Sequence, residues 1–356
     1  MKTTTKSKVQ SLEAGRGVAA LLVVLFHAWH HCRAAYGDFW LGHLFSFGHA
    51  GVDFFFVLSG FIILHAHRRD IGKPSRLMNF LKRRFTRIYP LYWLLLALTI
   101  AAAFFSSRGV FPAGAMIESA LLMPTRGYPI MTDAWTLQHE LLFYSIFAAL
   151  ILNRVGGSVI FIGWLLTLII VRFLPIPIED GLTLRLTSTF DFEFFLGMAA
   201  SWISQEMSLP APKLITVVGL ASFLAIGVAE NLTLINYWSF FTHFGYGLSA
   251  AVLVCGLVAW ERTGTMLIPA LLVVIGDASY TLYLIHLLVI GALWQMLSHL
   301  GLNYELPAST TYIFLVVGAT LAALAVRNAI EKPITTRMRS LSKQPPLAPQ
   351  PQGAAR

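Results

Sequence analysis

Glu13-Ala14-Gly15-Arg16-Gly17-Val18-Ala19-Ala20-Leu21-Leu22-Val23-Val24-Leu25-Phe26-His27-Ala28 is an apolar run with an arginine near its start and a histidine eleven residues later. On an α-helix this spacing sets the two side chains ~16 Å apart along the axis and on nearly one face. An arginine at a membrane edge with an imidazole buried on its line is an expensive arrangement. Ionisable groups inside bilayer helices usually face a polar cavity and carry function. The plainer readings are a satisfied core histidine at His27 and a topogenic charge at Arg16, and the run alone does not choose between them.

The rest of the chain has the same character. Over 356 residues the mean hydropathy is +0.69 and only 12% of residues are charged, a composition that cannot dissolve as a globule. Apolar stretches of about 20 residues fall near 14–33, 48–67, 84–106, 135–153, 157–174, 189–206, 213–230, 240–260, 277–299 and 308–330. The expected fold is therefore an all-α, polytopic membrane bundle of about ten transmembrane helices. The even count puts both termini on one side. With that side cytoplasmic, 21 of the 26 Lys and Arg residues lie inside, leaving only Arg33, Arg108, Arg126, Arg172 and Arg185 outside.

Residues 1–340 read as one transmembrane domain and 341–356 as a Pro/Gln-rich cytoplasmic tail without apolar period, expected to be disordered. The net charge of +9 follows alternate helix ends, a topogenic pattern that gives no support to nucleic-acid binding. Cys32 and Cys255 stand far apart with no CxxC or Cys/His spacing, so neither a disulfide framework nor a metal site is expected. The basic start (Lys2, Lys6, Lys8) before an apolar run imitates a signal peptide. Arg16 at the head of the run and the many spans after it argue against cleavage. Phosphate-loop, GxSxG, HExxH and CxxC motifs are all missing.

Further polar residues interrupt the later spans. Asp53 lies in Gly51-Val52-Asp53-Phe54-Phe55-Phe56-Val57-Leu58-Ser59-Gly60-Phe61 and needs a polar partner; a carboxylate orienting His27 is one solution, while Ser59 and Gly60 read as packing. Arg84 and Arg87, at i,i+3, share a helix face suited to clamping phosphate, or serve as plain topogenic charge. Glu140 sits about one turn into the fourth span beside Tyr144, with Thr136 a candidate cap. His139 reads as incidental. Glu193, Tyr280 and His286 are candidates for holding substrate, with interfacial or structural roles as the alternatives.

These stretches together resemble the membrane-bound acyltransferase-3 family, whose first helix carries Arg, ten residues, then His. The likeness continues through Arg84-Phe85-Thr86-Arg87-Ile88-Tyr89-Pro90, Trp135-Thr136-Leu137 with Glu140, Phe194-Phe195-Leu196-Gly197, Ser279-Tyr280 with His286, and Glu331-Lys332-Pro333. Its tone is closest to the exopolysaccharide-modifying members. One departure is Leu12-Glu13-Ala14-Gly15-Arg16, where the family commonly has Leu-Asp-x-Leu-Arg. No esterase-like domain is appended.

The resemblance implies a bacterial inner-membrane enzyme with no permanently bound cofactor. Acyl-CoA, usually acetyl-CoA, donates to a hydroxyl of a carbohydrate or glycolipid at the outer face. It casts His27, Asp53 and Glu140 as catalytic and Arg16, Arg84 and Arg87 as donor-binding. The rivals are a proton-coupled transporter or flippase using His27, Asp53 and Glu140 as a relay, a structural subunit of an export complex, and O-acylation of a small glycosylated metabolite. Membrane lipids are the remaining expected partner.

Overall fold

The computed structural model describes residues 9–104, 109–174, 180–302 and 304–341; the three N-terminal lysines, Arg108 and the tail from 342 onward lie outside them. Among the described residues there are helices and turns and no strand. Ten long helices dominate. They are α1 (Gln10–Tyr36), α2 (Gly51–His67), α3 (Leu77–Phe104), α4 (Trp135–Leu152), α5 (Arg154–Phe173), α6 (Asp191–Glu206), α7 (Pro212–Asn231), α8 (Phe240–Arg262), α9 (Ser279–His299) and α10 (Ala308–Val326).

Nine of these, α6 excepted, are long and apolar enough to cross a membrane. At 16 residues α6 is ~24 Å long, short of a ~30 Å hydrocarbon core. It is nonetheless the inner partner of α2. A Cβ on Gly197 would collide with the Val57 carbonyl, and one on Gly60 with the Phe194 carbonyl, so the two backbones touch where only glycine fits. Lipid supplies no hydrophobic drive between helices, which leaves such close contact to hold them. An ion pair from Arg68 to Glu206 then joins the C-terminal ends of α2 and α6.

Two apolar clusters share the interior. One gathers Phe56, Phe143, Phe147 and Phe194 with the inner faces of α1, α3, α9 and α10; the other gathers Phe54, Phe61, Tyr246 and Val254 between α2, α6 and α8. The outer faces of α5 and α7 are rich in exposed Ile, Leu and Val, as lipid contact requires. A short helix, Ala270–Asp277, packs on α1. There Gly276 lies so close to Glu13 that no side chain fits, which seats the start of α1 and with it Arg16.

Candidate active site

The polar residues of the bundle fall into three groups around α1. At its N-terminal end Arg16, Arg84 and Arg87 come together, lining one small cavity with Ser59 and Tyr144. Arg16 Nε donates to Ser279 Oγ at 3.1 Å. Arg84 lies over the rings of Phe80 (5.8 Å) and Tyr144 (5.4 Å), and its buried Nε and Nη1 have no hydrogen-bond acceptor in the structure. Glu140 accepts from Tyr144 Oη and, at 3.2 Å, from Ser59 Oγ. Glu140 and Glu13 both act electrostatically on Arg16 and Arg87. Three guanidinia thus face two carboxylates, leaving positive charge for an anion.

This cluster opens into a chamber of about 540 Å³ lined by Val9 and Arg16 of α1, the end of α2, Arg87, Tyr280, and Lys332 and Thr336 beyond α10. Arg327 at its wall is already neutralised, with Nη2 2.9 Å from Asp277 Oδ2. On its other side the cluster meets a neck of about 60 Å³ bounded by Phe55, Leu137, Glu140, Tyr280 and Tyr283.

The second group surrounds His27. Its Nδ1 lies 2.9 Å from the Val23 carbonyl and 3.2 Å from His286 Nε2. His286 is fully buried; its Nδ1 is 2.7 Å from the Tyr283 carbonyl and 3.7 Å from Asp133 Oδ2. A carbonyl only accepts, so His286 carries its proton on Nδ1 and presents Nε2 as an acceptor. His27 then carries its own proton on Nδ1, and its Nε2 is left as the lone-pair nitrogen. His27 lines a chamber of about 550 Å³ that shares Val52 and Tyr283 with the neck. The Tyr283 hydroxyl and Thr136 Oγ1 lie 3.0 Å apart, and Thr136 donates at 3.0 Å to the Asp133 carbonyl. Thr136 is thus inside α4, with no capping bond.

The third group corrects the sequence reading of Asp53. It does not orient His27. Its Oδ1 accepts from His243 Nδ1 of α8 at 2.7 Å, with both residues buried. Glu193 is 0% exposed, packs its Cγ toward Gly247 of α8 and interacts electrostatically with Asp53, so it lies behind the chamber wall that His243 forms. Nearby, Glu230 accepts from His49 Nε2 (2.7 Å) and Tyr246 Oη (2.9 Å). Among the described residues this group and the set His27, Asp133 and His286 each bring three ligand-type side chains close together. Every one of these contacts is between protein groups, and no step below uses a metal.

Three further expectations change. Glu140 sits with the arginines and not with His27. His286 stands behind His27 instead of facing the chamber, and the Tyr280 hydroxyl is committed to the Ile88 carbonyl at 2.7 Å. His139, read as incidental, ties α4 to α6 through Asp191 Oδ1 at 3.0 Å. Sequence reasoning gave no role to Asp133 and missed His243. The second carries the same signal as His27, an imidazole inside an apolar span.

Comparison with known proteins gives the family of the chain. The acyltransferase-3 family model, described as an acyltransferase domain, matches residues 9–327. The chain is 31% identical over 313 residues to the exopolysaccharide production protein ExoZ of Rhizobium meliloti (strain 1021), covering 84% of this chain and 93% of that protein. It is 24% identical to the acyltransferase MdmB of Streptomyces mycarofaciens, over 98% of this chain and 96% of that one. Protein 2 in the picA locus of Rhizobium radiobacter matches a shorter part, 39% over 95 residues. No solved structure matches. The family model over residues 9–327 and a relative matched over most of both chains place this protein in the acyltransferase-3 family.

Proposed function

We propose that the protein moves an acetyl group from cytoplasmic acetyl-CoA to a hydroxyl of an extracytoplasmic carbohydrate, an exopolysaccharide or its lipid-linked precursor. The observation that carries this reading is a pair of chambers along α1 with a smaller cavity between them that shares Arg16, Arg87 and Tyr280 with one and Val52 and Tyr283 with the other. Arg16 and Arg87 line one, and His27 lines the other. Phosphates of the donor bind Arg16, Arg84 and Arg87, whose charge exceeds that of the nearby carboxylates. The pantetheine arm follows α1 toward His27, and a neck of about 60 Å³ suits a two-carbon acyl group better than a fatty chain.

In the chemical step the acceptor hydroxyl gives its proton to His27 Nε2 as its oxygen attacks the thioester carbonyl carbon. The tetrahedral intermediate collapses, the C–S bond breaks, and the thiolate takes the proton back from His27. Free CoA and an O-acetyl ester result. His286 is a positioning residue: with the Val23 carbonyl it holds the His27 ring and its tautomer.

The test is the acetyl-ester content of surface polysaccharide in a deletion strain complemented with wild type or His27→Ala. Ester should vanish on deletion, return with wild type and stay absent with a normally expressed variant. Full ester content with His27→Ala sinks the proposal.

A further inference from the structure

We propose that the acceptor bears an anionic group, and that Arg185, with Arg126 beside it, binds that group in the chamber of His27. This deepens the acyltransferase reading, on which it rests for the ligand's identity as acceptor.

The case begins with how Arg185 is held. Its Nε donates to Gln138 Oε1 at 3.1 Å, its Nη2 donates to the Gly127 carbonyl at 3.1 Å, and its guanidinium lies 6.0 Å from the centroid of the Trp135 ring. Gln138 is itself buried and fixed, donating to the Met123 carbonyl at 2.6 Å. Every one of these partners is neutral. No carboxylate forms an ion pair with Arg185 among the described residues. Arg185 belongs to the short helix Gly181–Leu186, outside the spans, and burial pushes its guanidinium below the ordinary range. A half-buried cation aimed by fixed neutral groups, which feels Asp191 only through space while that carboxylate is bonded to His139, is set for an anion from outside.

The surroundings fit a sugar. Arg126 lines the same cavity, and Asp133, engaged with His286, is its one acidic residue. Aromatic rings complete the wall. Trp238 and Tyr128 are each 67% exposed, and Tyr237 stacks against Trp238 at 4.6 Å between centroids. Rigid aromatic faces beside a few fixed polar groups are how pockets of this size seat an amphipathic ligand. The expected topology points the same way. Only five basic residues are expected outside, and two of them line this chamber.

The anion has two chemical sources: a carboxylate on the glycan itself, or the diphosphate of a polyprenyl-linked precursor. Tryptophan fluorescence of the purified protein in nanodiscs, with Trp238 and Trp135 in the chamber, separates them. Three probes are titrated: a glucuronate-containing oligosaccharide, its carboxyl-reduced counterpart, and a short polyprenyl diphosphate. One of the two anionic probes should bind at least about tenfold more tightly than the reduced glycan. Arg185→Gln should remove that advantage while leaving the reduced glycan's affinity unchanged, and Arg185→Lys, which keeps the charge, should retain part of it. Equal affinity for all three probes in wild type overturns the proposal, as does an Arg185→Gln protein that keeps the anion preference. Should Arg185→Gln fail to fold, the same loss or persistence is read in Arg126→Gln, and a partial loss in Arg185→Lys. CoA release from acetyl-CoA is followed in parallel. Anion preference without any acetyl transfer would refute the acyltransferase reading and leave the anion site standing.

Discussion

Replacing His286 by alanine removes one of the two acceptors near the His27 Nδ1 proton, at 3.2 Å, and leaves the Val23 carbonyl at 2.9 Å with space beside it in which the ring of His27 can tilt. The expected result is a fall in kcat of roughly two orders of magnitude with little change in the KM for acetyl-CoA. His286→Gln should recover part of it, because its amide oxygen can accept the same proton, whereas a merely structural histidine would give no such recovery. Asp53 should behave differently. Asp53→Asn weakens the bond to buried His243, costing about 1–3 kcal/mol of stability, and should leave the pH profile of kcat where it was. A displaced profile would return Asp53 to the catalytic unit. Arg84→Gln and Arg87→Gln should each raise the KM for acetyl-CoA by roughly 10- to 100-fold, the value of one or two charge-assisted hydrogen bonds. The identity of these residues was readable in the chain, since an ionisable group in an apolar span announces itself. Their partnerships were not. Asp53 has potential imidazole partners on more than one helix, and helical spacing says nothing about which of them folds against it.

At the level of helices, nearly all the spans were legible because twenty apolar residues have few alternatives in a bilayer. The exception is instructive. Expected as the sixth span, α6 is too short and too polar at Asp191 and Glu193 to qualify by length and hydropathy. The fold nevertheless carries it through the bundle. Phe190, just before it, lines the chamber of His27, and Glu206 at its end pairs with Arg68 where α2 ends. A helix whose polar residues Asp191 and Glu193 are buried against protein can be short and carry charge, while Trp202 faces outward. What holds it is the glycine contact with α2. Gly197→Ala should force the backbones apart and cost about 1–3 kcal/mol. The measurement is the melting temperature in detergent: a clear drop is expected for Gly197→Ala, and none for Gly163→Ala on α5, where a Cβ meets open space. Equal melting temperatures would mean that α2 and α6 do not touch there.

For the whole molecule the question is whether the two chambers open to opposite sides, since the proposed function requires a cytoplasmic donor and an outer acceptor to meet without water or free acetyl-CoA crossing. Tyr128 lies at the rim of the His27 chamber and Thr336 at the arginine-side chamber, and both are exposed. The native cysteines, Cys32 and Cys255, are buried and should react slowly. Single cysteines at positions 128 and 336 therefore report the two openings. A membrane-impermeant maleimide applied to intact spheroplasts should label Tyr128→Cys at once and Thr336→Cys only after permeabilisation. Saturating acetyl-CoA should then slow labelling at 336 and leave 128 alone, because the donor's phosphates occupy the arginine side and its thioester reaches only the neck. The opposite sidedness would put the arginines outside, away from the cytoplasmic CoA pool, and the assignment of donor and acceptor chambers would have to be reversed. Labelling of both sites from one side would mean that the cavities do not separate the two compartments, and transfer across the membrane would lose its physical basis.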